Sequence, residues 1–195
     1  MKSRIIPDDA WQYGHRSPAE IRATLLELTR EFVVAARRTP GVLRIAVLGS
    51  LLTAKPRPKD ADVLVTIAEG IDLGALAKLG RRLKGSAQRK LNSGADVFLV
   101  NRSAQYIGRI CHYRQCHPRV LCHARHCGAV PHLADDLDVV DLSPELVITP
   151  PLEVFPEIVA RVPIPSDVER LLVAPLRQPG RCAATPACRR HAVEP

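Results

Sequence analysis

Leu48-Gly49-Ser50, nine further residues, and then Asp60-Ala61-Asp62-Val63-Leu64-Val65 form the most informative stretch of this chain. On a strand, successive side chains point to opposite faces, so Asp60 and Asp62 share one face while Ala61, Val63 and Val65 share the other. Two carboxylates roughly 7 Å apart along one strand face are costly unless positive charge sits between them. A divalent cation supplies that charge, and Mg²⁺ favours one or two carboxylates together with substrate phosphates. A third acid opens the run Asp96-Val97-Phe98-Leu99-Val100. Neighbouring strands lie about 4.8 Å apart, so Asp96 can complete a cluster with the first pair.

Such a trio suits phosphoryl or nucleotidyl transfer assisted by two metals, one activating the attacking hydroxyl and one steadying the leaving group. Gly49-Ser50 at a strand end supplies a tight turn whose N–H groups and hydroxyl can hold a phosphate. Lys55, Arg57 and Lys59 lie between these pieces and can neutralise a triphosphate.

Working outward, Ser17-Pro18-Ala19-Glu20 combines an N-cap, a first-turn proline and a capping-box glutamate. Ile21, Leu25, Leu28, Phe32 and Ala35 then recur at helical spacing until Pro40-Gly41. Val42 to Leu48 reads as a strand, Ala61 to Ile67 as a second, Leu73 to Leu91 as a basic amphipathic helix and Asp96 to Val100 as a third strand. The expected fold class is therefore α/β (α+β): a small mixed sheet flanked by helices, spanning residues 17–102, plus a Cys/His-rich irregular extension. The extension and a C-terminal arm occupy 103–173, with a short strand between Asp138 and Val154 and a helical turn or two at Ser166–Val173. Residues 174–195, rich in Pro, Arg and Ala, read as a disordered tail.

The three elements in order resemble the nucleotidyltransferase superfamily typified by DNA polymerase beta, and most of all its small stand-alone bacterial members. The resemblance covers roughly residues 20–101 and rests on Leu48-Gly49-Ser50, Asp60-Ala61-Asp62 and Asp96. It implies that Asp60 and Asp62 ligate two catalytic Mg²⁺ ions, that Asp96 is the third acid, and that Gly49 and Ser50 bind the phosphates of an NTP. The spacer departs from the family pattern, with Leu51-Leu52-Thr53-Ala54 and Lys59 in place of Arg, Gly and a final Ser. The implied reaction moves an NMP from an NTP to a hydroxyl of a protein, an RNA or a small molecule. A catalytically inactive nucleotide- or partner-binding member of the fold is one alternative. A zinc-stabilised nucleic-acid-binding protein is the other.

Cys111, Cys116, Cys122 and Cys127 form two Cys-x₄-Cys pairs in a stretch poor in large apolar side chains. In a reducing compartment four such thiols favour structural Zn²⁺ over disulfides, with buried or redox-labile thiols as competing readings. Cys182 and Cys188 read as free thiols, and Trp11 and Tyr13 as packing ahead of the first helix. His132, Asp135 and Asp136 read as a turn, and the basic helix as a solvated face.

Composition narrows the rest. The chain has 195 residues, 46% hydrophobic and 25% charged, with a net charge of +8 concentrated before residue 103. That balance suits a globular protein with a polyphosphate or nucleic-acid ligand. Aromatic residues at 4% argue against a base-stacking platform. No run reaches the ~18 apolar residues a membrane span needs, and residues 1–13 lack a signal-peptide core, so a cytoplasmic location away from membranes is expected.

Overall fold

A computed structural model describes residues 16–113 and 124–178. Trp11, Tyr13, Cys116, Cys122, Cys182, Cys188 and most of the expected tail lie outside the described residues.

Helix α1 spans Pro18–Ala36 and starts with the expected capping box, in which Ser17 Oγ accepts from Glu20 N and Glu20 accepts from Ser17 N at 2.8 Å. Strand β1 (Val42–Leu48) runs into a 3-10 turn at Gly49–Leu52, and β2 (Asp60–Ile67) returns antiparallel to it. Helix α2 (Gly74–Leu91) carries the chain back to β3 (Gly94–Val100), which pairs parallel with β2. A parallel pair needs such a crossover because the second strand must begin at the end where the first began.

The stretch read from sequence as extension and arm adds four more strands to the same sheet. They are β4 (Tyr106–Ile110), β5 (Leu133–Ala134), β6 (Leu152–Phe155) and β7 (Val159–Ala160), giving the order β5-β4-β3-β2-β1-β6-β7. Of the short strand and arm expected between Asp138 and Val154, β6 supplies a strand at the end of that stretch. Between β5 and β6 lies a short helix, α3 (Pro144–Ile148), which was not expected. Ser143 caps it and Pro144 opens it, repeating in brief the Ser-Pro start of α1. A continuous helical stretch closes the described chain: α4 (Ser166–Val168), a π-helical turn at Glu169–Val173, and α5 (Ala174–Arg177). The expected class, a mixed sheet flanked by helices, is the one observed.

The two sheet faces differ. Val47, Val63, Val65, Val97 and Leu99 meet Leu25, Phe32 and Val33 of α1, Leu76 and Leu83 of α2 and Leu172 of the last helical stretch in one core. Burying a side chain of this size contributes roughly 1.5–3 kcal/mol, so this face sets the register of β1, β2 and β3. The opposite face carries a smaller cluster of Ala46, Leu48, Leu64, Val100 and Val147, covered by α3. Beyond that cover, at one rim, the second face turns polar. Among the described residues no helix is long and apolar enough to cross a membrane.

Candidate functional site

The polar rim gathers the C-terminal end of β1, the N-terminal ends of β2 and β3, and the C-terminal end of β4. Register sets the carboxylates side by side: Asp62 pairs with Asp96 across β2–β3 and with Leu48 across β1–β2. Asp60 pairs with Gly94, whose missing side chain leaves the space beside that carboxylate open. The three acids read from sequence therefore come together on one face.

Gly49 and Ser50 sit immediately beside them. Gly49 has φ +71°, and a Cβ there would collide with Asp62 Oδ2. The left-handed backbone is what calls for glycine here, since the Asp62 carboxylate is the end of a flexible side chain that can shift. The Ser50 hydroxyl is buried without a hydrogen-bond partner in the protein. An orphaned buried hydroxyl is costly, and a ligand oxygen reaching it would recover that cost. Lys55, Arg57 and Lys59 are all exposed in the following loop.

That loop is anchored from behind by a residue the sequence reading passed over. Arg22 of α1 is buried; its Nη2 donates to Leu51 O at 2.8 Å and its Nη1 to Lys55 O at 3.1 Å. Its Nε donates to Asp167 Oδ2 at 2.5 Å, tying the loop to α4. Burial acts to raise the Asp167 pKa, but the bond and charge of Arg22 bring it below its ordinary value.

The electrostatics separate Asp62 from Asp96. Burial, with the charges of Asp60 and Asp96, pushes the Asp62 pKa up to about 7. Neither Asp60 nor Asp62 forms an ion pair among the described residues. Asp96 instead has two cations near its Oδ1, Arg109 Nη1 at 3.3 Å and Lys84 Nζ at 3.7 Å, with the His112 ring beside them at 3.2 Å through Nε2. None of the three contacts to that buried oxygen has full hydrogen-bond alignment. Burial would raise the Asp96 pKa, yet His112, Lys84 and Arg109 draw it below the ordinary value. His112 Nε2 also lies 2.7 Å from Lys84 Nζ. One ring nitrogen accepts from Lys84 or donates to Asp96, not both.

Arg109 is held in turn. Its Nε donates to Asp136 Oδ2 at 2.6 Å, and Tyr106 Oη donates to Asp136 Oδ1 at 2.7 Å. Asp136 is only 1% exposed, so both of its oxygens are satisfied inside the protein. Burial opposes the charge of Arg109, but Asp96 and Asp136 outweigh it and keep its pKa above the ordinary value. Burial and the bond to Asp136 likewise keep the Tyr106 hydroxyl protonated. Asp136 keeps the expected turn role, its O accepting from Val139 N at 2.9 Å, and adds this network to it. Asp135 keeps a local role, accepting from His126 N and lying 2.7 Å from its Nδ1. Lys84 belongs to this network, and Arg81 donates to Cys111 O and Tyr113 O, so this side of α2 is not simply solvated.

Of the four expected zinc ligands, Cys111 is buried just past β4 and Cys127 is half-buried, while Cys116 and Cys122 lie outside the described residues. Among the described residues no three His, Cys, Asp or Glu side chains form a ready metal cage. Asp60 and Asp62 still fit a cation that takes its remaining ligands from a phosphate-bearing substrate. The donor set is hard oxygen, the charges of Asp60 and Asp96 at Asp62 outweigh that of Arg109, and the orphaned Ser50 hydroxyl is a neighbour.

No family model matches the chain, and no curated protein does. A solved structure with some likeness is the 1.40 Å crystal structure of a "putative nucleotidyltransferase" from Sulfolobus solfataricus. It is 14% identical, with 49% of this chain and 90% of that one covered at a TM-score of 0.30. A likeness this distant carries no functional argument.

Proposed function

We propose that this chain is a nucleotidyltransferase acting at the rim formed by Asp60, Asp62 and Asp96. The observation that carries the reading is Asp62. A carboxylate raised to about 7 by burial and by two neighbouring acids, set against the left-handed turn at Gly49, sits in a site unfavourable to its own charge. Perturbed acids in such settings point to a site rather than to packing.

In the proposed reaction an acceptor hydroxyl oxygen attacks the α-phosphorus of an NTP. A new P–O bond forms, the bond to the β-phosphate breaks, and pyrophosphate leaves with the electron pair while the acceptor proton passes to water. Magnesium, when bound by Asp60 and Asp62 with the nucleotide's phosphates, supplies positive charge against the developing pyrophosphate. Ser50 Oγ and the N–H groups of the Gly49–Leu52 turn bind phosphate oxygens, and Lys55 and Lys59 add charge from the exposed loop. Asp96, held ionised by its cations on Oδ1, offers Oδ2 to the acceptor hydroxyl and orients it.

A nucleotide-binding member without turnover is the second reading, favoured by the two cations, Lys84 and Arg109, near Asp96. Calorimetric titration with a non-hydrolysable NTP tests both readings. Binding that requires Mg²⁺ and is lost in Asp62→Asn supports the site, and pyrophosphate release from NTP then separates the enzyme from the binder. Binding indifferent to Mg²⁺ and to Asp62 would overturn the proposal.

A further inference from the structure

We infer that Asp96 takes its counter-charge from the chain itself, so that the site binds one divalent cation per nucleotide, at Asp60 and Asp62, and not two. The inference rests on the nucleotidyltransferase reading and adds to it the number of metals and the residues that set it.

The cations around Asp96 are built in rather than casual. Arg109 cannot swing away cheaply, because its Nε is bonded to Asp136 at 2.6 Å and Asp136 is 1% exposed. Withdrawing the guanidinium would leave a buried carboxylate with only the Tyr106 hydroxyl, 2.7 Å from its other oxygen. Breaking a buried pair by removing one partner is strongly unfavourable. Arg109 Nη1 is thereby presented to Asp96 at 3.3 Å. Lys84 approaches the same oxygen from α2 at 3.7 Å, and its Nζ is steadied by His112.

A dication arriving at Asp96 would meet a guanidinium and an ammonium already on that oxygen. Like charges at such separations repel strongly in a partly buried site. The other two acids are the reverse case. Asp62 has the like charges of Asp60 and Asp96 beside it, only partly offset by Arg109, and neither Asp60 nor Asp62 has an ion pair among the described residues. Charge balance therefore sends the incoming cation to Asp60 and Asp62. Lys84 and Arg109 do at Asp96 what a second metal would otherwise do. Asp136 and Tyr106 become positioning residues that act through Arg109.

The test is a count. The full chain, in excess over a non-hydrolysable NTP, is titrated with Mn²⁺ while free Mn²⁺ is followed by electron paramagnetic resonance. One bound Mn²⁺ per bound nucleotide is expected, and the count should stay at one in Asp96→Asn. In the double variant Lys84→Gln/Arg109→Gln a second Mn²⁺ should appear and should vanish again when Asp96→Asn is added. Two Mn²⁺ in the wild type, with one lost in Asp96→Asn, would overturn the inference while leaving the nucleotidyltransferase reading intact. Nucleotide bound with no Mn²⁺ would overturn both. Should the double variant fail to fold, the wild-type and Asp96→Asn counts still decide the matter.

Discussion

Replacing Asp62 with Asn should stabilise the nucleotide-free protein, and the gain should depend on pH in a defined direction. The carboxyl has a pKa of about 7 in the folded state against 3.8 as an unperturbed group. Between these values the folded chain holds more protons than the unfolded one, so stability falls as pH rises through this window. The penalty is nearly absent at pH 4 and complete above about pH 7. A shift of this size corresponds to roughly 4 kcal/mol as a ceiling. The side chain is only partly buried, and solvent screening reduces that figure to about 1–2 kcal/mol. For a chain of this length such a gain raises the melting temperature by roughly 3–6 °C. Thermal unfolding of wild type and Asp62→Asn at pH 4 and pH 8 is the assay. The variant should gain at pH 8 and match the wild type at pH 4. Equal effects at both values, or a loss at pH 8, would refute the assignment of a strained carboxylate to Asp62.

Ser50→Ala should weaken Mg²⁺-dependent NTP binding by about 1–3 kcal/mol, the range for a hydrogen bond to a charged group; unchanged affinity in calorimetry would move phosphate recognition to Lys55, Arg57 or Lys59. Arg22→Gln removes the buried partner of Asp167 and the donors to Leu51 O and Lys55 O, and should cost about 2–4 kcal/mol in denaturant unfolding. NTP affinity should fall with it, because the phosphate loop loses its anchor. One Zn²⁺ per chain is expected at Cys111, Cys116, Cys122 and Cys127; elemental analysis without zinc, with all four thiols titratable in the folded protein, would refute that expectation.

The first half of the fold is legible because its apolar periods are long. The seven residues of β1 match the sequence expectation at both ends, and α1 announces itself through Ser17, Pro18 and Glu20. Period-two alternation also places Asp60 and Asp62 on one face, and a parallel partner strand brings Asp96 beside Asp62. What lay hidden has a physical cause. Strands of two to five residues, such as β4 to β7, carry too few alternations to stand out from loops. Tyr106, Arg109 and Asp136 form one network only after β5 pairs with β4, and no local spacing links residues about thirty positions apart. A charged residue such as Arg22 in a helix reads as surface, and only its buried partners Leu51 O, Lys55 O and Asp167 show otherwise. The signal overlooked in plain view was Ser143-Pro144, the same helix start as Ser17-Pro18 on a helix too short for periodicity.

The central claim is that this rim transfers a nucleotide, and the position of a radiolabel tests it most directly. The full chain is incubated with Mg²⁺ and cell extract, in parallel with NTP labelled at the α-phosphate and NTP labelled at the γ-phosphate. The α-label should become attached to an acceptor, the γ-label should leave as pyrophosphate, and both events should stop in Asp62→Asn. Attachment of the γ-label, or α-label transfer that persists in Asp62→Asn, would contradict the account.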